Sequence, residues 1–271
     1  DRCLDAIFRN RADEIKSNLQ TRLLDLRSGP GRLNKIQSHA DYFARSKIEI
    51  LPAVHATIGP LLKQGHALFP RLDSMPRPTY IFDPTRQRTH TSHDRGLDQH
   101  GPYDQATFNA PKPRVAVVCQ ASKKGQVEQF LRKFLDGMPD VKTGRGTAPY
   151  EKGFLRKYCT DGWDIEFFQT TANTADAYNK AALQALEQSA TTGRKWNLVL
   201  VQIEEHFRDL PAPRNPYLVT KATFLSQGIS SQEFNIETIS RYGTQLAYAL
   251  NQMALATYAK LGGIPWLLQA T

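Results

Sequence analysis

An aromatic side chain and an ammonium group four residues apart are the groups of this chain best suited to bind an anion. They are Tyr217 and Lys221, in the segment N-P-Y-L-V-T-K at residues 215–221. Asn215 is a good helix N-cap and Pro216 suits a first turn, so the segment predicts a helix that begins there. Positions four apart share one face of a helix. The backbone N–H groups and the positive end of the helix dipole would then face the same ligand as the lysine.

The chemistry of this segment predicts a pocket for the phosphorylated end of a single-stranded nucleic acid. A lysine and a helix N-terminus bind phosphate, and the flat ring of Tyr217 offers a surface on which a base can stack. The alternative is an ordinary surface helix, because Tyr and Lys at this spacing are common on exposed helices. The choice between the two depends on the elements that surround the segment.

The overall composition favours a polyanionic partner. The 271 residues contain 35 Lys and Arg against 26 Asp and Glu, which gives a formal net charge of +9. With 40% hydrophobic residues, the chain is able to bury a full core in one large domain or two small ones. No segment has the length and apolarity of a membrane span and no signal peptide is visible, so a cytoplasmic protein without a membrane partner is expected.

Cysteines and histidines give little indication of a metal site. Cys3, Cys119 and Cys159 are far apart and form no C-x-x-C pair, which excludes the spacing of a zinc knuckle. Residues 90–100 contain three histidines and two aspartates, namely His90, His93, His100, Asp94 and Asp98. This spacing could hold a metal ion, but the surroundings favour a loop with fixed turns at residues 96–97 and 101–104.

The pattern of apolar residues divides the chain near residue 75. Residues 1–75 show helical periodicity, with a first helix broken at residues 28–31 by S-G-P-G. A second helix is expected from residue 33 to about 45 and a third from residue 54 to 69. We therefore expect a small helical N-terminal segment or linker.

Residues 76–112 are expected to be a loop-rich lead-in, with one short strand at residues 79–82, and residues 113–271 to form an α/β domain. The expected strands of this domain are 114–120, 163–169, 196–203 and 229–234, and the expected helices are 125–135, 175–189, one starting at Asn215, and 244–261. Such alternation predicts a Rossmann-like, doubly wound, mostly parallel sheet flanked by helices. Ligands of these sheets bind outside the carboxyl ends of the strands, where the loop 204–214 leads into the Asn215 helix.

Most known catalytic and cofactor motifs are absent from the sequence. The G-x-G at residues 144–146 lacks a third glycine and a following helix, and no P-loop occurs. Glu204, Glu205 and His206 follow a strand and could act as acid and base. The main alternative function is therefore a Rossmann-like enzyme acting on a small phosphorylated metabolite. A third is a scaffold that docks a partner protein through residues 1–75.

Three separated motifs together resemble the MID domain of Argonaute proteins, particularly the prokaryotic ones. They are N-P-Y-L-V-T-K at 215–221, G-I-S-S-Q-E-F at 228–234 and A-L-N-Q-M-A-L-A-T-Y-A-K-L-G-G-I-P-W at 249–266. The upstream G-L-D-Q-H-G-P-Y-D at 96–104 is similar to the segment that leads into this domain in bacterial members. The order of the motifs makes the resemblance, which covers residues 76–271, more specific than any single one.

The resemblance implies that residues 113–271 anchor the 5′-monophosphate of a single-stranded guide, DNA or RNA, that recognises a complementary target strand. Carried over by position, the phosphate-binding residues are Tyr217, Lys221, Gln232 and Lys260. Contacts to the first base and the backbone are expected from Arg214, Asn215, Ser231, Glu233 and Gln252. Two lysines, an amide and a helix N-terminus suit a terminal monophosphate, which carries close to two negative charges.

One position departs from the family pattern. Ala256 stands where other members carry a polar or basic side chain that helps to hold the phosphate or its metal ion, and Gln252 is one turn away. In related prokaryotic proteins a divalent cation, here Mg²⁺, bridges the guide phosphate and a distant C-terminal carboxylate. The chain ends at Thr271, where the family's PIWI domain would begin. We therefore expect a binding module that is not itself a nuclease, with a PIWI domain in cis or in trans as partner.

Overall fold

The structure is a computed structural model that describes residues 7–8, 11–46, 48–63, 65–69, 77–144, 146 and 148–269. The chain divides into two compact units, Asp1–Met75 and Pro76–Thr271. Cys3, residue 145 of the G-x-G segment and the chain end at Thr271 lie outside the described residues. No helix in the described parts of the chain has the length and apolarity needed to cross a membrane.

Two consecutive helices, α1 (Ala12–Arg27) and α2 (Gly29–Arg45), form most of the described N-terminal unit. They are separated by Ser28, whose hydroxyl caps α2 by accepting a hydrogen bond from the Gly31 N–H at 3.0 Å. The break predicted here is confirmed, but it is shorter than expected. Pro30 falls in the first turn of α2, where its missing N–H costs nothing.

A hairpin replaces the third helix that the sequence predicted at residues 54–69. Strands β1 (Ile48–Leu51) and β2 (Val54–Ala56) pair antiparallel, so that prediction was wrong. β-branched residues favour strands, and the two residues between the strands suit a tight turn. Pro52 presets its own backbone for such a turn, and Ala53 has the positive φ, 67°, that the following position requires.

The lead-in contains a helix where a loop was predicted. Strands β3 (Tyr80–Ile81) and β4 (Thr89–His90) form a short antiparallel hairpin, which confirms the expected strand. Helix α3 (His93–His100) follows, so the turn predicted at residues 96–97 was wrong. Gly96 serves packing and not a turn, because a Cβ atom there would lie 2.2 Å from the Phe82 ring.

A four-stranded parallel sheet forms the centre of the second unit. Its strands are β5 (Arg114–Gln120), β6 (Asp164–Thr170), β7 (Leu198–Ile203) and β8 (Ser230–Asn235), in the order β6-β5-β7-β8. The central strands β5 and β7 are almost wholly buried, which explains their continuous apolar sequences. Strand β8 is an edge strand, and its outer side is not paired with another strand of this sheet.

Helices cover both faces of this sheet and confirm the α/β, Rossmann-like architecture. They are α4 (Lys124–Asp136), α5 (Gly153–Lys157), α6 (Ala175–Thr192), α7 (Pro216–Leu225), α8 (Ile236–Ile239) and α9 (Gly243–Lys260). Phe130 of α4 and Leu250 of α9 belong to the hydrophobic core on one face. Tyr178 of α6 and Phe224 of α7 belong to the core on the other face.

The end of the described chain returns to the lead-in. Strand β9 (Leu267–Leu268) pairs antiparallel with β3, so that β4, β3 and β9 form a small three-stranded sheet. Trp266 packs its ring against Tyr80 and His93, with ring centroids 5.6 and 5.0 Å apart. The lead-in is therefore part of the C-terminal unit, although the parallel sheet begins only at Arg114.

A buried lysine joins three helices of the same unit. Lys157 of α5 has a side chain only 2% exposed, and its Nζ lies 2.6 Å from Asp94 Oδ1 and 3.0 Å from Asp98 Oδ1. The same Nζ donates to Asn251 Oδ1 of α9 at 2.9 Å. Burial raises the pKa of the Asp98 carboxyl. Burial also opposes ionisation of Asp94, but the charge and hydrogen bonds of Lys157 and Asn251 lower the pKa of that carboxyl.

We expect Lys157→Met to lower the free energy of unfolding by about 3 kcal/mol, because it leaves two partly buried carboxylates without their counter-charge. Urea denaturation followed by circular dichroism measures the loss. Lys133→Met removes the same charge from an exposed position of α4 and should change stability by less than about 0.5 kcal/mol. Equal losses in the two variants would contradict a structural role for the buried pair.

Candidate anion-binding site

Asn215 caps helix α7 as the sequence predicted. Its Oδ1 accepts hydrogen bonds from the N–H groups of Tyr217 at 3.0 Å and Leu218 at 3.1 Å. Its Nδ2 donates to the carbonyl of Phe207 at 2.7 Å, which ties the helix start to the preceding loop. The side chain is 7% exposed. Asn215 thus acts inside the protein, and the contact to a first base expected of it stays a prediction.

The same cap removes the backbone donors that the sequence predicted for anion binding. Pro216 has no N–H, those of Tyr217 and Leu218 donate to Asn215 Oδ1, and that of Val219 donates to the Asn215 carbonyl at 3.1 Å. The start of α7 therefore offers a ligand only the field of the helix dipole. The expectation of free N–H groups at this helix was wrong, because a well-capped helix satisfies them itself.

The side chains of Tyr217 and Lys221 do lie on one face of α7. Lys221 Nζ lies 5.6 Å from the centroid of the Tyr217 ring, within range of a cation–π interaction. Tyr217 is half-buried against the core, whereas Lys221 is exposed. The pair therefore presents a half-buried ring next to an exposed positive charge.

Lys260, the last residue of α9, places a second ammonium group on strand β8. Its Nζ donates to the Ser231 carbonyl at 2.6 Å and to Gln232 Oε1 at 2.9 Å. Gln232 Nε2 donates to the Glu233 carbonyl at 2.7 Å and retains a second N–H for a ligand. Residues from two distant segments of the chain thus contact each other directly.

The open side of β8 adds backbone donors to this cluster. The carbonyls of Ser231 and Glu233, two residues apart on this edge strand, both accept hydrogen bonds from side chains, and we infer that both face away from β7. Within one strand residue the N–H and the C=O point to the same side, and the direction alternates along the strand. The N–H groups of Ser231 and Glu233 therefore also face the open edge, where they can donate to an anion.

The helices that carry the two lysines, α7 and α9, cover opposite faces of the sheet. Ser231 is in register with Val199, which packs in the core under α7, and Gln232 is in register with Leu200, which packs in the core under α9. The pKa of Lys260 is lowered, first by burial and then by the charge of Lys221, while Glu233 opposes the shift. The Lys260 ammonium group, held on β8, therefore lies within electrostatic range of Lys221, and an anion bound between them would relieve the repulsion.

This position differs from the one predicted from the fold class. The cluster involves Ser231 and Gln232, the second and third residues of the six-residue strand β8, and so lies beside an edge strand. The sequence predicted a ligand site outside the carboxyl ends of the strands, and where a ligand binds stays a prediction. An edge strand is accessible along its length, whereas the carboxyl ends of β5 and β7 are occupied by other groups.

The carboxyl ends of β5 and β7 hold the acidic residues considered for catalysis. Gln120 Nε2 donates to Glu204 Oε1 at 2.5 Å, and His206 Nδ1 lies 3.2 Å from Glu204 Oε2. Glu205 is exposed, and its backbone N–H donates to the Glu237 carboxylate at 3.3 Å. The Glu204 carboxylate is thus engaged by two protein groups.

The remaining predicted residues flank the cluster. Arg214 is exposed at the end of a short 3₁₀ helix (Ala212–Arg214) just before α7. Gln252 and Ala256 are exposed on α9, and their spacing places them on the same helix face as Lys260. The Ser231 hydroxyl is buried without a hydrogen-bond partner among the described residues. Ser231 and Glu233 are therefore brought to the site through their backbone.

A cavity of about 180 Å³ adjoins the cluster and shares Gln232 with it. Its apolar lining comes mainly from β8, α8 and α9, with Phe130 of α4 at the same wall. Arg208 and Asn235 contribute polar groups. An uncharged part of a ligand held at the lysines would therefore find apolar surface within reach.

The described residues do not fit a metal site. Among them, no three His, Cys, Asp or Glu side chains gather as a metal-binding group. In the histidine-rich segment, His90 Nδ1 accepts the Ser92 N–H at 2.8 Å, so this nitrogen is already engaged. At the lysine cluster, two ammonium groups would repel Mg²⁺, and Glu233 is the single carboxylate among the residues predicted for the site. We assign no step to a metal ion.

Comparison with known proteins agrees with the motifs. No family model matches the chain. A curated Argonaute protein of Cereibacter sphaeroides (strain ATCC 17025 / ATH 2.4.3) is 30% identical over 271 residues, which cover 98% of this chain and 34% of the relative. This chain is related to Argonaute proteins. The match includes the N-terminal unit, which the sequence motifs did not reach, and the chain spans about a third of that relative's length.

Two solved structures of the same group are also similar. Drosophila Piwi has a TM-score of 0.47 at 12% identity, covering 72% of this chain and 23% of that one. Clostridium butyricum Argonaute, bound to a guide DNA and a 19-mer target DNA, has a TM-score of 0.48 at 15% identity, covering 73% and 25%. Both scores are below 0.5, so the fold of the Argonaute-related chain is taken from its own sheet topology.

We expect Asn215→Ala to lower the free energy of unfolding by about 2 kcal/mol, because it removes the cap of α7 and the bond to the Phe207 carbonyl. Asn215→Ser is the matched control: its hydroxyl keeps a cap acceptor and the bond to the Phe207 carbonyl is lost without a new charge, so about 1 kcal/mol should be lost. Urea denaturation measures both. If the serine variant is as unstable as the alanine variant, the cap is not what Asn215 contributes.

Proposed function

We propose that this chain binds the 5′-phosphorylated end of a single-stranded guide, DNA or RNA, which then pairs with a complementary target strand. The observation that carries the proposal is the contact of the Lys260 ammonium group with Ser231 and Gln232 on β8. Lys221, beside Tyr217 on α7, lies within electrostatic range of that ammonium group. The relationship to Argonaute over 98% of the chain supports it.

The donors at the edge of β8 match a terminal monophosphate in charge and number. Such a phosphate carries about 1.5 to 2 negative charges at neutral pH and presents three acceptor oxygens. Lys221 and Lys260 supply two positive charges, and Gln232 supplies an uncharged N–H. The outward N–H groups of Ser231 and Glu233 complete the set. An internal phosphodiester has one charge and a 5′-hydroxyl has none, so the cluster favours a phosphorylated end over both.

The Tyr217 ring would hold the first base. Stacking on an aromatic ring is worth about 1–3 kcal/mol per base and does not depend strongly on which base it is. The ring is half-buried and so is already held in place, which reduces the entropy lost on binding. Arg214 and Gln252, exposed on either side, would contact the backbone of the strand.

The proposed function is binding, and the chain's residues are given no chemical step. Cleavage of a target strand would require the PIWI domain of an Argonaute-type protein, acting as a partner in cis or in trans. The acid/base alternative would place turnover of a phosphorylated metabolite at Glu204 and His206. The hydrogen bonds that already engage Glu204 do not favour it.

A 5′-phosphorylated oligonucleotide should bind more tightly than its 5′-hydroxyl twin. Lys221→Ala or Lys260→Ala should each weaken binding of the phosphorylated strand by about 10- to 100-fold, because each removes a charge-assisted hydrogen bond. Lys180→Ala, an exposed lysine of α6, removes the same charge elsewhere and controls for non-specific attraction. Fluorescence anisotropy at fixed salt measures all four proteins. Equal affinity of the wild type for the two strands would refute the proposal.

Affinity for the phosphorylated strand should fall as pH rises towards 10. Lys260 binds phosphate while it is charged, and its pKa is lowered by burial and by the charge of Lys221. The decline should therefore begin at a lower pH than an ordinary lysine pKa of about 10.4 would give. Lys260→Arg keeps its charge and should shift the decline to higher pH. Lys221→Arg should leave it in place. An unchanged profile in Lys260→Arg would show that another group titrates.

A further inference from the structure

The end of helix α9 is held by a carboxylate 154 residues earlier in the chain. Asp104 Oδ1 accepts a hydrogen bond from the Tyr258 hydroxyl at 2.6 Å. Asp104 Oδ2 accepts one from the backbone N–H of Ile264 at 2.9 Å. Each oxygen of this carboxylate thus accepts a hydrogen bond, one from the last turn of the helix and one from the segment that follows it. Lys260 lies between these two points.

The turn that follows α9 is tight and closely packed. The Gly263 N–H donates to the Tyr258 carbonyl at 3.0 Å, and Gly262 has a φ of 88°. A Cβ atom on Gly263 would lie 2.3 Å from the Tyr258 ring, so the chain passes directly over that ring. The N–H of Tyr103 donates to the Pro265 carbonyl at 3.1 Å and adds a backbone tie from the lead-in.

A lysine at the last position of a helix needs such support to stay in one place. Helix ends fray, and a lysine side chain loses about 2 kcal/mol of rotamer entropy when it is held. Lys260 is nevertheless held against two acceptors on β8. The two acceptors are held in place because β8 belongs to the sheet. The backbone of Lys260 is held in place by the hydrogen bonds that Asp104 accepts on either side of it.

We propose that Asp104 is the positioning residue of the anion site: its two hydrogen bonds hold the end of α9 so that the Lys260 ammonium group lies on the open edge of β8. The lead-in then contributes a residue that shapes the site and does more than connect two parts of the chain. The effect of Asp104 on guide binding rests on the function proposed above, whereas its effect on the position of Lys260 does not.

A second anchor on the same helix provides the matched control. Asp94 Oδ1 accepts a hydrogen bond from Asn251 Nδ2 at 2.8 Å and pairs with Lys157. Asn251 is nine residues before Lys260, about 14 Å along the helix axis. Asp94→Asn therefore weakens a contact between the lead-in and α9 but leaves the contacts at the C-terminal end of α9 unchanged. Asp104→Asn makes the same chemical change at the end of the helix.

The first measurement uses the full chain without nucleic acid. An amine-acylating reagent is applied across a pH series, and modification of Lys260 is followed by mass spectrometry, with exposed Lys133 as internal reference. Asp104→Asn should raise the midpoint of the Lys260 profile, because the freed ammonium group leaves the partly buried position that lowers its pKa. Tyr258→Phe keeps the ring and the Ile264 bond and should cause a smaller shift in the same direction. Asp94→Asn should cause none.

The second measurement is the ratio of affinities for 5′-phosphorylated and 5′-hydroxyl strands. Asp104→Asn should reduce this ratio about tenfold, the loss of one charge-assisted contact, and Asp94→Asn should leave it unchanged. An unshifted Lys260 profile in Asp104→Asn overturns the positioning proposal whatever the ratio does. Equal effects of the two asparagine variants also overturn it, because general destabilisation would then explain both. The two proposals can also be told apart. If Asp104→Asn shifts the Lys260 profile but the wild type binds both strands equally, the positioning proposal is supported and guide binding is refuted.

Discussion

The contact of Lys260 with the edge of β8 is the interaction on which the proposed site depends. It joins the end of one helix to the middle of an edge strand, and it brings the second lysine, Lys221, into electrostatic range from the other face of the sheet. Burial and a like charge both disfavour the ammonium form of Lys260, yet two acceptors hold it there. In the proposed function, an anion bound between the two lysines would neutralise both charges and so offset the energy that this arrangement costs.

An edge strand suits this purpose for a physical reason. Its outer N–H and C=O groups are unpaired by the sheet, and natural proteins have to cover or charge such edges to avoid association. Here Lys260 and Gln232 occupy the outward carbonyls and leave the outward N–H groups of Ser231 and Glu233 for a ligand. The tight cap of α7 has the opposite effect, because Asn215 satisfies the helix N–H groups before any ligand arrives. In the proposed site, selectivity for phosphate would therefore come from the strand and the lysines.

The lead-in is included in the alignment with the Argonaute relative, and it also contacts the helix that carries Lys260. The alignment runs through both units of the chain, and the lead-in that precedes the parallel sheet contacts the end of α9 through Asp104 and Tyr103. The buried Lys157 adds a second link between the lead-in and the same helix. A boundary drawn at residue 113 would separate these contacts. The alternative enzyme centre lacks such support, since Glu204 is engaged by Gln120 and His206 within the protein.

Local rules of the sequence determined the elements and their caps. The continuous apolar segment before Gln120 required a buried strand, and Asn215 followed by proline required a helix start, because both depend on neighbours in the chain. The same rules failed for the hairpin after Ile48, where a short apolar stretch fits a helix or a strand, and for Gly96, whose role is to admit the Phe82 ring. Only the tertiary structure decided that β8 is an edge strand, that Lys260 of α9 contacts it, and that Asp104 accepts a hydrogen bond from Ile264. Those contacts join residues far apart in the chain, and no local propensity encodes them.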